Sequence, residues 1–339
     1  MTAEDAQAAA SVLVAADIRG ISSHGVGRLW RYVAGLETGL MVNDAAPETC
    51  METPMSLVVD AHGAMGAPVS VRTMKAVIDK ASTIGAAFGC IRDSNHFGIA
   101  GYYAMMALNR DMIGIAMTNT AALGVPTFGR EVRLGTNPLA FAAPADREKA
   151  FVLDMSTTVV TRGKIEVYNR LGKALPEGWA VDNTGASAHD AASFLHDTLH
   201  RIGGGILPLG GMGEEFGGHK GYGLAIMVDI LCAVLAGAPF GADVVDTEAS
   251  SARVSHFFGA IKIGAFREPS EFRRDMDAML RNLRETAPAT GEDRVWFAGE
   301  KEFEEERRHI ESGIPILEKT YEQLCSIGDK YGIPPPPPM

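Results

Sequence analysis

An α+β fold is predicted from three features of the sequence. Helical periodicity runs through residues 3–18 and 26–37 at the N-terminus and through the charged segment 270–324 near the C-terminus. Between these ends, β-like and helical stretches alternate over residues 56–155. Two of the β-like runs, Leu139–Ala143 and Phe151–Met155, are separated only by a turn around Asp146-Arg147-Glu148, which implies antiparallel pairing and argues against a wholly parallel, doubly wound sheet. The expectation is a largely antiparallel mixed sheet flanked by helices, with a helical unit built from both chain ends.

Each element follows from its residues. Thr2, with Asp5 three positions on, forms a capping box for the first helix, and Gly20 stops it. A polar loop, Ile-Ser-Ser-His-Gly, occupies 21–25. Residues 26–37 then set Leu29, Val33 and Leu36 on one helical face and end at Gly39. Next come a strand at Ser56–Asp60, a helix at 68–82, strands at 86–91 and 112–117, and a helix at 100–109 between those two strands. Residues 171–185 are rich in turn formers. The glycine-dense stretch 203–223 runs into an apolar segment, 222–240, which Asp229 interrupts and which reads as a buried helix rather than a membrane span. A last strand falls at 257–266, after which the C-terminal helices fold back on the N-terminal ones. The tail 332–339 is proline-rich, lacks a core-forming pattern and is expected to be disordered.

Composition limits function. The chain has 339 residues, 46% apolar and 22% charged, enough for one large or two medium soluble domains. With 31 basic against 42 acidic residues its net charge is −11, which gives no footprint for nucleic acid. Cys50, Cys90, Cys232 and Cys325 are scattered and form no C-x-x-C pair, and the N-terminus has no basic leader, so a reducing cytoplasm is expected and a membrane role is not.

Several residues carry chemistry. Neither a G-x-G-x-x-G nor a G-x-x-x-x-G-K-[ST] fingerprint is present, so a conventional Rossmann site is excluded. The glycines at 217–223 flank His219, Lys220 and Gly221; they suit an anion cradle at a helix start, or close packing alone. His24, in Ser-Ser-His-Gly, and His96, in Asn-His-Phe-Gly, sit in loops, where an imidazole exchanges a proton during carbonyl reduction or makes a structural hydrogen bond. Arg28, four residues after His24, falls on the same face and suits a clamp on a substrate carboxylate, or a solvated surface charge. Asp154-Met155-Ser156, at a strand end, suits ribose and phosphate oxygens or a helix cap. The other six histidines, His62, His189, His196, His200, His256 and His309, form no close ligand pattern and read as solvent-facing or structural. No metal site is expected. A metal-dependent hydrolase using His24, His96 and His219, or a non-catalytic binding protein, are the rival readings.

Seven collinear segments, among them Ser22-Ser-His-Gly25, Ser94-Asn-His-Phe-Gly98, Gly135-Thr-Asn-Pro138, Asp154-Met-Ser156 and Gly218-His-Lys-Gly221, resemble the type 2 malate/L-lactate dehydrogenase family over roughly residues 5–310. That family also includes ureidoglycolate, sulfolactate and diketogulonate enzymes. The resemblance implies a homodimeric, non-Rossmann, NAD(P)-dependent oxidoreductase that interconverts a small 2-hydroxy acid and its 2-oxo acid, malate/oxaloacetate or L-lactate/pyruvate first. It implies a helical domain of residues 1–55 and 300–331 and an NAD(P)-binding sheet domain of residues 56–299. His24 and His96 match the histidines given the acid/base role in different members. Ser23 and Arg28 match the substrate side. Thr118, Asn119, Thr120, Asp154, Met155, Ser156, His219, Lys220, Gly221 and Gly299 match cofactor-contacting segments. Thr157-Thr158 is bulkier than the family's usual residues there, which leaves NAD and NADP both open, with NAD favoured. Residues 186–205 replace a more regular loop.

Overall fold

The computed structural model describes residues 1–334. In chain order the main elements are α1 (Ala3–Ile18), α2 (Leu29–Glu37), β1 (Glu48–Glu52), β2 (Ser56–Asp60), α3 (Gly66–Ile84), β3 (Ala86–Ser94), α4 (Ala100–Met105), β4 (Met112–Thr118), β5 (Leu139–Ala143) and β6 (Phe151–Met155). There follow α5 (Arg162–Arg170), β7 (Ala180–Val181), α6 (Ala191–Leu199), β8 (Gly205–Ile206), α7 (Gly218–Asp229), β9 (Val254–Lys262), α8 (Pro269–Arg284), α9 (Glu300–Ser312) and α10 (Glu318–Tyr331).

Seven strands form one sheet in the order β1-β2-β3-β9-β4-β5-β6, and β7 pairs with β8 separately. Only β2 and β3 run parallel within the large sheet; every other neighbour is antiparallel, as expected from the sequence. The late strand β9 enters between β3 and β4, and its alternation decides the two faces of the sheet. Phe258 joins Val12, Leu13, Met74, Val77 and Tyr103 beneath α1, α3 and α4. Phe257 joins Cys90, Met117, Val228 and Cys232 beneath α7.

The chain ends meet as expected. Arg19 pairs with Glu306 at 3.0 Å and lies 4.4 Å over the Phe303 ring, while His309 Nδ1 lies 2.9 Å from the Ile18 carbonyl. Thr2 caps α1 by accepting from the Asp5 N–H.

Four local expectations need correction. The helix expected at 100–109 stops at Met105, and a single tight turn, Leu108–Arg110, leads to Asp111 at φ 51. The strand expected from 257 starts at Val254, so His256 lies inside it. Strand β1 and helices α5 and α6 fall where no element was expected; β1 is exposed throughout and has no apolar alternation to reveal it. The apolar segment at 222–240 is not wholly buried. It widens into a π-helical turn, Ile230–Val234, that buries Cys232 and Ala233 but exposes Ile230, Val234 and Leu235. Among the described residues no helix is long and apolar enough to cross a membrane. Of the proline tail, 335–339 lie outside the described residues.

Candidate active site

Two loops meet above one end of the sheet. The first leaves α1 and is held by Asp17, whose Oδ2 accepts the Val26 N–H at 2.7 Å. The chain passes so close that a Cβ on Gly25 would lie 1.8 Å from Asp17 Oδ1, so only glycine fits there. A tight turn, Ser22–His24, then presents His24. The second loop follows β3, where Asn95 donates to the carbonyls of Gly63 and Ala64 at 2.8 and 2.9 Å and fixes the start of the segment carrying His96.

The loops bring His24 and His96 together, with ring centroids 5.3 Å apart and 23° between the planes. Ser23 Oγ lies 2.9 Å from His24 Nδ1. The Arg28 Nε–H donates to the Ser23 carbonyl at 2.7 Å, which anchors the guanidinium at the base of the His24 turn. All four residues assigned to catalysis and substrate therefore share one cluster.

Tyr32 completes it, and sequence reasoning missed this residue. Its hydroxyl lies 2.6 Å from His96 Nδ1, and the Gly98 N–H donates to the same nitrogen at 3.3 Å. A backbone N–H only donates, so Nδ1 is the acceptor and neutral His96 carries its proton on Nε2. One signal was available: Tyr32 stands one turn beyond Arg28 on α2, on the face that packs inward, and is 1% exposed.

Burial, with a smaller repulsion from Arg28, pulls the His24 pKa down to about 4. Burial also holds His96 well below its ordinary value, aided by His24, Arg28 and Arg31. Both rings are neutral at pH 7. Burial raises the Tyr32 hydroxyl, which stays protonated.

Asp154, at the end of β6, reaches towards the same region. Its Oδ2 accepts the Gly101 N–H at 2.7 Å, five residues beyond His96. Burial of its carboxyl pushes it up to about 6 against the pull of that N–H and of Arg19, although the residue as a whole is exposed. Asp154 and Gly299 line one cavity of about 290 Å³ with Arg19, Trp296, Lys301 and Glu302.

The remaining assigned residues divide. Thr118 and Asn119 are buried, and their side chains are taken up internally: Asn119 accepts from the Ser255 N–H at 2.8 Å and donates to the Pro239 carbonyl at 3.2 Å. Thr120 Oγ1 accepts the Thr136 N–H at 2.9 Å. Ser156 donates to the Thr158 carbonyl at 3.0 Å, and Met155 is half-buried at the end of β6. At the start of α7, a Cβ on Gly221 would meet the Leu209 carbonyl at 2.1 Å, so close packing accounts for this glycine, while His219 and Lys220 stay exposed. The Leu209 N–H donates to the Thr157 carbonyl and the Thr157 N–H to that of Thr136, which draws these segments together.

Among the described residues, the one group of three side chains with metal-ligand atoms within 4.8 Å of one another is Asp60, His62 and Asp93. Arg92 already pairs with Asp60, and Arg253 with Asp93. His24, His96 and His219 form no such group.

Residues 1–325 match the family described as malate/L-lactate dehydrogenase. A malate dehydrogenase of Pyrococcus abyssi is 42% identical over 330 residues, covering 97% of this chain and 89% of that protein. A ureidoglycolate dehydrogenase (NAD(+)) of Escherichia coli O157:H7 is 32% identical, covering 95% and 89%. The crystal structure of malate dehydrogenase from Entamoeba histolytica superposes with a TM-score of 0.95 at 34% identity, covering 99% of this chain and 93% of that one. The chain belongs to the malate/L-lactate dehydrogenase family.

Proposed function

We propose that this chain interconverts a small 2-hydroxy acid and its 2-oxo acid with a nicotinamide cofactor, malate/oxaloacetate or L-lactate/pyruvate being the substrate pair. The observation that carries the proposal is the stacked pair of neutral imidazoles with the Arg28 guanidinium beside them. Family membership makes the chain an oxidoreductase of this substrate class. The substrate pair, the cofactor and the residue roles are our reading. Ureidoglycolate, sulfolactate or a sugar-derived keto acid would present the same acid and carbonyl groups to the same residues.

Arg28 holds the substrate carboxylate; its Nη groups make no hydrogen bond within the described residues, and its Nε is anchored on Ser23. Ser23 assists beside it. An imidazole Nε2 then lies at the substrate hydroxyl. In the oxidation direction the hydroxyl proton passes to a neutral ring whose Nε2 is bare, which His24 offers when its Nδ1–H donates to Ser23 Oγ, while neutral His96 donates its Nε2–H to the same substrate oxygen. In the reduction direction the protonated ring returns the proton to the alkoxide. A bound carboxylate favours the charged ring, so substrate itself draws the depressed pKa values back towards neutrality.

The residues fit a nicotinamide cofactor, which when bound supplies or takes up the hydride. Asp154 Oδ1 takes no hydrogen bond from the described residues and suits a ribose hydroxyl, with Met155, Ser156 and Gly299 alongside. Thr118, Asn119 and Thr120 shape the adjoining wall. His219, Lys220 and Gly221 open α7 and suit a pyrophosphate. Two carboxylates, Asp154 and Glu302, line the cavity; of its two cations Arg19 is already paired with Glu306 and Lys301 lies 5.0 Å over the Trp296 ring, which favours a ribose hydroxyl over a ribose phosphate and hence NAD over NADP.

We assign residues 1–55 and 300–331 to a helical domain and 56–299 to the cofactor domain. A homodimer is supported by the exposed apolar row Met227, Ile230, Val234 and Leu235, and light scattering tests it. For the activity, oxaloacetate, pyruvate, glyoxylurea and sulfopyruvate are screened by oxidation of NADH and NADPH. His24→Ala and His96→Ala are then compared: the residue that carries the proton loses roughly 10² or more in kcat, and unchanged turnover removes a residue from that role. A chain that neither oxidises nor binds either cofactor is the non-catalytic alternative.

A further inference from the structure

We propose that His256 is a positioning residue for His96: through Ser94 and Phe97 it fixes the loop that presents the His96 ring to His24. The proposal rests on the reading that His96 acts at the substrate hydroxyl.

His256 is the third residue of β9 and is fully buried. It stands opposite Ile91 on β3 and opposite Thr118 on β4. Its Nδ1 is 2.8 Å from Thr118 Oγ1, and its Nε2 is 2.9 Å from Ser94 Oγ. The Thr118 hydroxyl donates to the carbonyls of Asn119 and Ser255, so its oxygen accepts from the Nδ1–H. Nε2 is then bare and accepts from the Ser94 hydroxyl, for which the Asn95 carbonyl at 3.5 Å is the more distant acceptor. The imidazole ties the ends of β3 and β4 together across β9, with a donor on one side and an acceptor on the other.

The backbone is built for this contact. In an unbroken strand Ser94, three residues after Ile91, would face the opposite side of the sheet from Ile91 and His256. The pairing shifts between Ile91 and Ser94: three steps along β3 match two along β9, a bulge in which Asp93 takes φ 49. That extra residue returns Ser94 to the His256 face. Two residues further on is His96. Its neighbour Phe97 lies flat on His256, centroids 4.4 Å apart and planes within 3°. The Tyr103 hydroxyl binds the Phe97 carbonyl, and its ring stacks on Phe97 at 4.8 Å. His96 is thus flanked by two contacts to the same imidazole. A leucine would fill that space without burying two ring nitrogens, so what the imidazole adds is the bridge. Burial pulls its pKa down to about 3, which keeps the ring neutral and preserves one donor and one acceptor.

The test uses the full chain without cofactor, labelled with ¹⁵N in histidine, together with steady-state kinetics on the 2-oxo acid. Four variants are compared: His256→Gln, whose amide keeps one donor and one acceptor, His256→Leu, Ser94→Ala, and the His256→Leu/Ser94→Ala pair. In the parent and in His256→Gln, His96 is expected to show one Nε2–H tautomer. In His256→Leu and Ser94→Ala its signals should be mixed or broadened. His256→Leu should lower kcat about tenfold with KM within about twofold, and His256→Gln should stay within about threefold of the parent. The double variant should be no worse than His256→Leu alone, the non-additivity of a shared contact. Parent-like His96 signals and kcat in His256→Leu, or additive losses, overturn the proposal. If His256→Leu does not fold, Ser94→Ala decides: an undisturbed His96 overturns the proposal. Should His96→Ala retain full turnover, the catalytic reading of His96 fails separately, because the tautomer measured without cofactor still reports the positioning contact.

Discussion

The phenolic oxygen of Tyr32 lies 2.6 Å from Nδ1 of His96, and this contact joins the helical layer to the sheet at the point where the chemistry is assigned. Tyr32 comes from α2, His96 from the loop after β3. The hydroxyl and the Gly98 N–H both address Nδ1, which leaves Nε2 to carry the exchangeable proton.

Tyr32→Phe removes the shorter of these two contacts and keeps the packing. The expected result is a fall in kcat of about tenfold, the worth of one hydrogen bond, with little change in KM for the 2-oxo acid. Steady-state kinetics check it; a KM effect with unchanged kcat would place Tyr32 in binding instead.

Arg28 is assigned to the substrate carboxylate, so its loss should fall on the acid and spare the cofactor. Arg28→Ala should raise KM for the 2-oxo acid by about 100-fold while KM for NADH moves less than about threefold. Arg28→Lys should recover only part, because a point charge does not reproduce the planar fork. Equal effects on both substrates would contradict the assignment.

Gly25 passes within a Cβ's reach of the Asp17 carboxylate. Gly25→Ala must push aside either Asp17 or the His24 turn, so stability should drop by about 1–3 kcal/mol and kcat should fall with it. Thermal melting and turnover of the same preparation check this. A variant as stable and as active as the parent would mean that the turn yields freely.

Three histidines are held neutral by burial, His24 down to about 4, His256 down to about 3 and His96 well below its ordinary value. The unfolded chain takes up protons at these residues from about pH 6.5 downward and the folded chain does not. Their full contribution is therefore present above that pH and is lost progressively as pH falls towards 4 and below. Asp154, raised to about 6, opposes them, since its folded form binds a proton more readily than its unfolded one between pH 6 and 3.8. Asp17, Asp93 and Asp229 are also raised by burial, by less than Asp154, and act in its direction at lower pH. In the upper part of the range the three histidines outweigh Asp154, and Tm should fall between about pH 7 and about pH 5. His256→Gln should make that fall shallower. Scanning calorimetry across the range checks both statements.

Much of this was legible in the sequence because it rests on local patterns. The capping box at Thr2, the turn between Leu139–Ala143 and Phe151–Met155, and the two histidine loops all state their conformation in a few adjacent residues. The insertion of β9 between β3 and β4 was not legible, because strand order depends on contacts between residues far apart in the chain. The partners of the assigned residues were missed for the same reason. Tyr32 reads as one more helix residue until β3 delivers His96 beside it. His256 reads as a turn residue until Ser94 and Thr118 arrive from two other strands. Thr118 and Asn119 resemble cofactor contacts by motif, yet their side chains are spent on Ser255 and its neighbours.

The most direct measurement is a crystal structure of the chain with NADH and oxamate, a 2-oxo acid analogue that resists reduction. The expected result has the oxamate carboxylate on Arg28, its ketone-like carbonyl oxygen within about 3 Å of Nε2 of His24 or His96, and its carbonyl carbon about 3.5 Å from the nicotinamide C4. Oxamate bound away from Arg28, with neither imidazole within hydrogen-bond reach of it, would contradict the assignment of this cluster as the active site.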